Sequence, residues 1–283
     1  MVEAVLSRAE RRQLKKKTKL SSSPSTIAPT PTPSTAPATA DASSTKKKPS
    51  RRAKKRKRPM GPSSAPITSL DVVAAGGISV TTQWIAPHLV ERLRADATAL
   101  RAAGAFTKST IGGRVGESQK VKRSKRLSEC CGLFDDAAKV PRDVGDVGAR
   151  DCVMDLISDL HATLNTNVAP LGDEMELQYL YYPGDDEGFY GKHIDQQERI
   201  PGKPNRVVSM VLYLNAPDWE SSRDGGNLCA YPTGAPPVHV DPIGGTLVVF
   251  HSEKLIHEAR PTKRDRWALV GWFMEAPTKR HRV

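Results

Sequence analysis

From Leu177 onward the chain is a series of short apolar runs, each closed by a glycine or proline signal, and this rhythm restricts the folds open to it. Leu177, Tyr179 and Tyr181 alternate before Pro183–Gly184, and VVSMVLYL covers Val207–Leu214. Gly225–Gly226 precedes LCAY, Gly244–Gly245 precedes TLVVF, and ALVGWFM covers Ala268–Met274. Such runs read as strands and turns, with little room for a helix between 176 and 275. Upstream the period changes. Ile85, Leu89, Leu93 and Leu100 recur at helical spacing, with Pro87 in the first turn and Gly104 at the end. Val153, Leu156, Ile157, Leu160 and Leu164 mark a second helix from about Ala149 to Leu164. LDVVAA (70–75) is a short apolar stretch closed by Gly76–Gly77. Each long helix has one apolar side and needs a sheet to cover it. The pattern predicts an all-β core, a double-sheet barrel with supporting helices against one outer face.

Charge divides the chain in two. Residues 1–64 hold 17 Lys+Arg and 3 Asp+Glu; the remainder holds 26 and 28, a net of −2 within the total of +12. All six tyrosines and all four tryptophans follow residue 64, so the first part has little to bury. A Pro/Ser/Thr/Ala-rich spacer separates the basic block Arg8–Lys19 from KKKPSRRAKKRKRP (Lys46–Pro59). Residues 1–64 are expected to be a disordered tail with a possible nuclear-import signal, and 65–283 the folded domain. Phosphate contact by the tail, to RNA or DNA, would be weak and salt-sensitive, without aromatic base stacking. Four cysteines without a disulfide pattern, no apolar leader and no membrane-length run predict the nucleus and/or cytoplasm, and the chain is expected to act as a monomer. The Gly-rich, basic stretch 111–127 reads as an exposed connection or a substrate lid.

His193 and Asp195 flank Ile194, and in a strand residues i and i+2 share a face. One further histidine from a distant strand would complete a 2-His-1-carboxylate triad of the kind that holds non-haem Fe(II) with open positions. His257 and His251 compete for that place; His239, after two prolines, is weaker. Arg266 lies nine residues after His257, a spacing that suits a hairpin presenting both side chains to one cavity. Arg266 is the candidate cation for the far carboxylate of a 2-oxoacid co-substrate, and Tyr213, from an opposing strand, for a phenolic hydrogen bond to it.

The segments YYPGDDEGFYGKHID, RVVSMVLYLN, DWESSRDGGNLCAYP and GTLVVFHSEKLIHEARPTKRDRWALVGWF resemble the 2-oxoglutarate/Fe(II)-dependent prolyl 4-hydroxylases, most closely the oxygen-sensing group acting on hypoxia-inducible factor and related protist enzymes. The resemblance covers roughly residues 80–276. It implies a double-stranded β-helix, a cupin-like jelly roll, with dioxygenase activity. It also implies peptidyl-prolyl 4-hydroxylation of an intracellular protein by O2 and 2-oxoglutarate, releasing succinate and CO2, with ascorbate as a reductant. By the same resemblance His193, Asp195 and His257 match the iron ligands, which decides against His251. Arg266 and Tyr213 match the groups that hold 2-oxoglutarate, Tyr182 and Trp272 line its pocket, and Tyr190 and Arg206 border the substrate channel. Two departures are visible: one extra residue between Tyr182 and His193, and Val270 where the family has a threonine framing the co-substrate. Two other functions fit parts of the pattern: a nucleic-acid oxidative demethylase, suggested by the tail, and a non-catalytic nuclear adaptor built on the same fold.

Overall fold

The computed structural model describes residues 64–111, 120–133, 140–141, 143–185, 187–199 and 204–276. The basic tail, up to residue 63, and positions 112–119 of the Gly-rich stretch lie outside the described residues.

Two helices carry one face of the molecule. The first long one, α2 (Pro87–Ala102), follows the short α1 (Leu70–Ala74) and the strand β1 (Ile78–Thr81). Pro87 begins α2, and Gly104, at φ +80°, receives the chain just beyond its end. The second, α3 (Val147–Asn167), extends past the predicted Ala149–Leu164 at both ends; at its start Asp146 caps it, its carboxylate accepting from Ala149 N at 2.9 Å. The LDVVA stretch forms α1, a helix of five residues.

The remaining described strands are β2 (Thr107–Lys108), β3 (Arg126–Leu127), β4 (Glu129–Gly132), β5 (Leu171–Tyr182), β6 (Phe189–His193), β7 (Arg206–Tyr213), β8 (Leu228–Tyr231), β9 (Val238–Val240), β10 (Leu247–His251), β11 (Ile256–Ala259) and β12 (Arg266–Glu275). They form two antiparallel sheets, β1-β10-β7-β12-β5-β4-β2 and β3-β6-β11-β8-β9. From β5 to β8 and again from β10 to β12, successive strands alternate between the sheets. This is the jelly roll, and it confirms the expected all-β core with helices on one side. One helical turn, α4 (Ser221–Asp224), does occur within the strand-rich half, where no helix was expected. It has only four residues, below the length that apolar periodicity can reveal.

Period two sorts the large sheet into two cores. On β12, Trp267, Leu269 and Phe273 face the helices, packing with Leu93 and Leu100 of α2 and Val153, Ile157 and Leu160 of α3. Ala268, Val270, Trp272 and Met274 face the other way, into the barrel, with Leu180, Tyr182, Val211, Tyr213, Val248 and Phe250. The helices therefore stabilise the outer face while the inner face is free to carry chemistry. Among the described residues no helix is long and apolar enough to cross a membrane.

Candidate metal and co-substrate site

His193 ends β6 and His257 lies in β11, and the two are register partners across that antiparallel pair. Their rings are 4.2 Å apart, centroid to centroid. Asp195, two residues past His193, turns its carboxylate to both: Oδ1 is 3.4 Å from His193 Nε2 and 3.8 Å from His257 Nε2. The ligating atoms of the three lie within 4.8 Å of one another. Each imidazole has its second nitrogen committed. His193 Nδ1 is 2.9 Å from Gly191 O and His257 Nδ1 is 3.1 Å from Leu255 O, so Nδ1–H donates and Nε2 presents its lone pair inward. Burial alone would raise the Asp195 pKa, but His257, His193 and the Ser209 hydroxyl hold it well below the usual carboxylate range. Burial lowers the His257 pKa to about 4. A neutral imidazole and an ionised carboxylate are the protonation states that metal ligation requires.

His251 ends β10, in the large sheet, and its Nδ1 accepts from Glu253 N at 3.3 Å. It is not part of the cluster. His239 lies in β9, its Nδ1 3.0 Å from Asn227 Nδ2.

Arg266 opens β12 directly opposite Tyr182 of β5, and Tyr213 pairs with Ala268, two residues further along the same inward row. The guanidinium carbon lies 4.7 Å from the Tyr182 ring centre and 5.1 Å from that of Tyr213. Tyr213 thus stands on a neighbouring strand of one sheet, not on an opposing strand. Nor do His257 and Arg266 share a hairpin: β11 belongs to the small sheet and β12 to the large one, so residues 260–265 cross between sheets. The spacing of nine is the same in either case, and only the pairing partners distinguish them.

That crossing is held from below by the 218–226 turn. Asp224 accepts from Arg223, from Arg264 Nη1 at 3.0 Å and from Glu220 N at 3.1 Å. Gly226, at φ +73°, leaves room for the stem of Arg266; a Cβ there would lie 3.1 Å from Arg266 Cδ.

Three buried polar atoms on this inner face have no well-formed hydrogen bond within the protein: Arg266 Nε, Tyr213 Oη and Trp272 Nε1. Buried polar groups are ordinarily paired, and leaving them unpaired is costly. Burial pushes the Tyr213 pKa up to about 12 against the pull of Arg266, so the phenol remains a donor. Both Arg266 and Tyr213 thus offer hydrogens to an anion.

Tyr190 stacks on His193 at 3.5 Å and 17°, and Arg126 caps Tyr190 at 4.4 Å. Arg126, from the basic 111–127 stretch, is thereby folded into the site wall. It also lines an adjoining cavity of about 430 Å³ with Arg101, Lys108, Tyr181 and Asp185. Arg206 lies over Trp272 at 3.8 Å and pairs with Glu176. Two residues at the site had no place in the sequence reading: Ser209 and Ser252, which hydrogen-bond behind Asp195. The available signal was a lone serine at an inward position of an otherwise apolar strand, VVSMVLYL.

A family model described as the 2OG-Fe(II) oxygenase superfamily matches residues 177–274, the span that contains every one of these inward-facing groups except Arg126. Residues 177–274 form a 2OG-Fe(II) oxygenase domain. The oxygenase domain has relatives among solved structures. A prolyl-4-hydroxylase from Pseudomonas putida is 28% identical with a TM-score of 0.58, covering 73% of this chain and 97% of that one. A prolyl hydroxylase from Trichoplax adhaerens, solved with a peptide fragment of the hypoxia inducible factor oxygen degradation domain, is 21% identical with a TM-score of 0.60, covering 73% and 87%. A prolyl 4-hydroxylase from Phytophthora capsici is 22% identical with a TM-score of 0.53, covering 74% and 62%. No curated protein sequence matches at a significant level. The family uses Fe(II) and 2-oxoglutarate, and the oxygenase site fits both: two inward-facing Nε2 lone pairs and a carboxylate oxygen for the cation, and the buried Arg266 and Tyr213 donors for the dicarboxylate.

Proposed function

We propose that this chain is a protein prolyl 4-hydroxylase acting on an intracellular polypeptide. In the net reaction a C4–H of peptidyl proline becomes C–OH, one atom of O2 enters the product, and 2-oxoglutarate takes the other while losing CO2 to become succinate. Bound Fe(II) supplies the redox chemistry; the protein supplies position and electrostatics. His193, Asp195 and His257 hold the cation. Arg266 binds the distal carboxylate of 2-oxoglutarate, Tyr213 donates a hydrogen bond to it, and Tyr182 and Trp272 wall the pocket. Tyr190, stacked on His193, and Arg206, over Trp272, border the channel through which the proline enters. Val270, facing inward beside them, removes a hydroxyl from the pocket wall.

The observation that carries this reading is the placement of the Arg266–Tyr213–Tyr182 cluster within the same barrel as the His193–Asp195–His257 cluster. The 28% identity to the Pseudomonas putida prolyl-4-hydroxylase over nearly its full length supports proline as the substrate residue. The basic block Lys46–Pro59 supports nuclear import, the enzyme acting as a monomer in nucleus and/or cytoplasm with ascorbate keeping the iron reduced.

The test is to incubate purified protein with Fe(II), 2-oxoglutarate, ascorbate and a panel of proline-containing proteins, and to map products by fragment mass spectrometry. The expected result is a 2-oxoglutarate-dependent gain of one oxygen, about 16 Da, on proline, lost in His193→Ala. Oxidation of methylated oligonucleotides instead, or no 2-oxoglutarate turnover with any substrate, would overturn it.

A further inference from the structure

Behind Asp195 lies a pair of serines with no solvent access. Ser209 Oγ donates to Asp195 Oδ2 at 2.7 Å, and Ser252 Oγ is 2.8 Å from Ser209 Oγ. Both serines are fully buried. The direction of this chain is settled by counting hydrogens. A hydroxyl has one, and Ser209 gives its own to the carboxylate, so Ser252 must donate to Ser209. A chain of hydroxyls running one way polarises each member and strengthens the last bond, the one that reaches Asp195.

The backbone holds both serines in place. Ser209 lies in the inward row of β7 with Val211 and Tyr213, between register partners Phe250 on β10 and Trp272 on β12. Ser252 follows β10; its N–H donates to Val207 O at 2.9 Å and its carbonyl accepts from Gln196 N at 3.1 Å, one residue past Asp195. These bonds fix the backbone from which each buried hydroxyl projects.

The two oxygens of Asp195 are therefore not equivalent. Oδ1 faces both imidazole Nε2 atoms, and Oδ2 is tied to Ser209. A carboxylate free to swing can grip a cation with both oxygens and fill a position that a co-substrate needs. We propose that Ser209, oriented by Ser252, is a positioning residue that restricts Asp195 to one ligating oxygen and so keeps the metal's remaining positions free for 2-oxoglutarate and O2. This inference rests on the proposed metal centre and adds to it the reason why that centre stays open.

The experiment separates metal binding from co-substrate binding, with Mn(II) as the probe. Mn(II) affinity is read by EPR titration, and 2-oxoglutarate affinity for the Mn(II)-loaded protein by anaerobic calorimetry. Ser209→Ala is expected to weaken 2-oxoglutarate binding by about 10–100-fold, the range in which loss of a group behind a metal ligand lowers metal affinity or activity, while Mn(II) affinity falls clearly less. Ser209→Thr, which retains the hydroxyl, should restore it, and Ser252→Ala should give a smaller loss of the same kind. A merely structural role would lower the melting temperature without separating the two affinities. Should Ser209→Ala fail to fold, Ser252→Ala decides alone, by the same separation. Wild-type 2-oxoglutarate affinity in the alanine variants, or parallel loss of both ligands without rescue by threonine, overturns the inference. His193→Ala is the control for the centre itself: undiminished Mn(II) binding there would remove the metal site, and the serines' proposed role with it.

Discussion

His193 and His257, 64 residues apart in the chain, are register partners on β6 and β11, so backbone hydrogen bonding sets the distance between their rings. One shared antiparallel pair delivers two imidazoles, and the third ligand, Asp195, follows two residues later in the bend just past the end of β6. The centre is thus a property of sheet register: slipping β6 by one residue would turn His193 away from the barrel.

Replacing His193 or Asp195 by alanine should therefore abolish turnover and cut divalent-metal affinity by more than the about 100-fold that marks the upper end for supporting groups. Metal titration by calorimetry checks this. Removing the metal from the wild type with a chelator should give the same loss of activity, restored by Fe(II).

Arg266→Ala should raise the 2-oxoglutarate KM at least ~30-fold, the equivalent of the about 2–5 kcal/mol lost when one partner of a buried charge pair is truncated. Arg266→Lys should recover only part, because an ammonium cannot bind a carboxylate through two parallel hydrogen bonds. Metal affinity should be unchanged in both. A KM that stays at the wild-type value in Arg266→Ala would move the dicarboxylate to another cation.

Asp224 ties the 218–226 turn to the strand crossing that delivers Arg266. Hydrogen bonds from Arg223 and Arg264 outweigh burial and keep its pKa below the ordinary value. A depressed acid contributes stability that is full above its unfolded pKa, about 3.9, and is lost as pH falls through the folded one. Asp224→Asn should lower the melting temperature by roughly 2–8 °C near neutral pH and raise the 2-oxoglutarate KM. The gap from wild type should narrow on acidification below about pH 4. Thermal melts across pH read the effect directly, and a constant gap would contradict the ion-pair account.

Ile157 of α3 is fully buried against the outer face of the large sheet. Ile157→Ala should cost about 2–5 kcal/mol of stability. Because the two cores are separated by the sheet, the 2-oxoglutarate KM of the folded variant should match wild type. Urea unfolding alongside steady-state kinetics tests both halves of the statement.

Periodicity exposed both long helices, and Gly–Gly and Pro–Gly breaks exposed the main strands of the barrel. Their local signals agree with the final structure because apolar stripes and turn residues act over a few positions. The four-residue α4 and the Asp146 cap at the start of α3 carry no such signal, because local hydrogen bonds and not a repeat set them. At the site, His193–x–Asp195 was legible as a local i, i+2 pair, whereas His257 could be chosen over His251 only through family likeness. Both follow strand-like runs, and nothing local says that one belongs to the small sheet and the other to the large.

The sequence alone determined the supply of parts: two amphipathic helices, a set of inward–outward strands, and the His, Asp, Arg and Tyr side chains able to hold a cation and a dicarboxylate. Tertiary structure decided which of them meet. Strand exchange between two sheets brought His257 to His193, sent Arg266 across to Tyr182 and Tyr213, and placed Ser209 and Ser252 behind Asp195. These are pairings between residues tens of positions apart, fixed by backbone register across sheets, and no local pattern encodes register between strands that are distant in the chain.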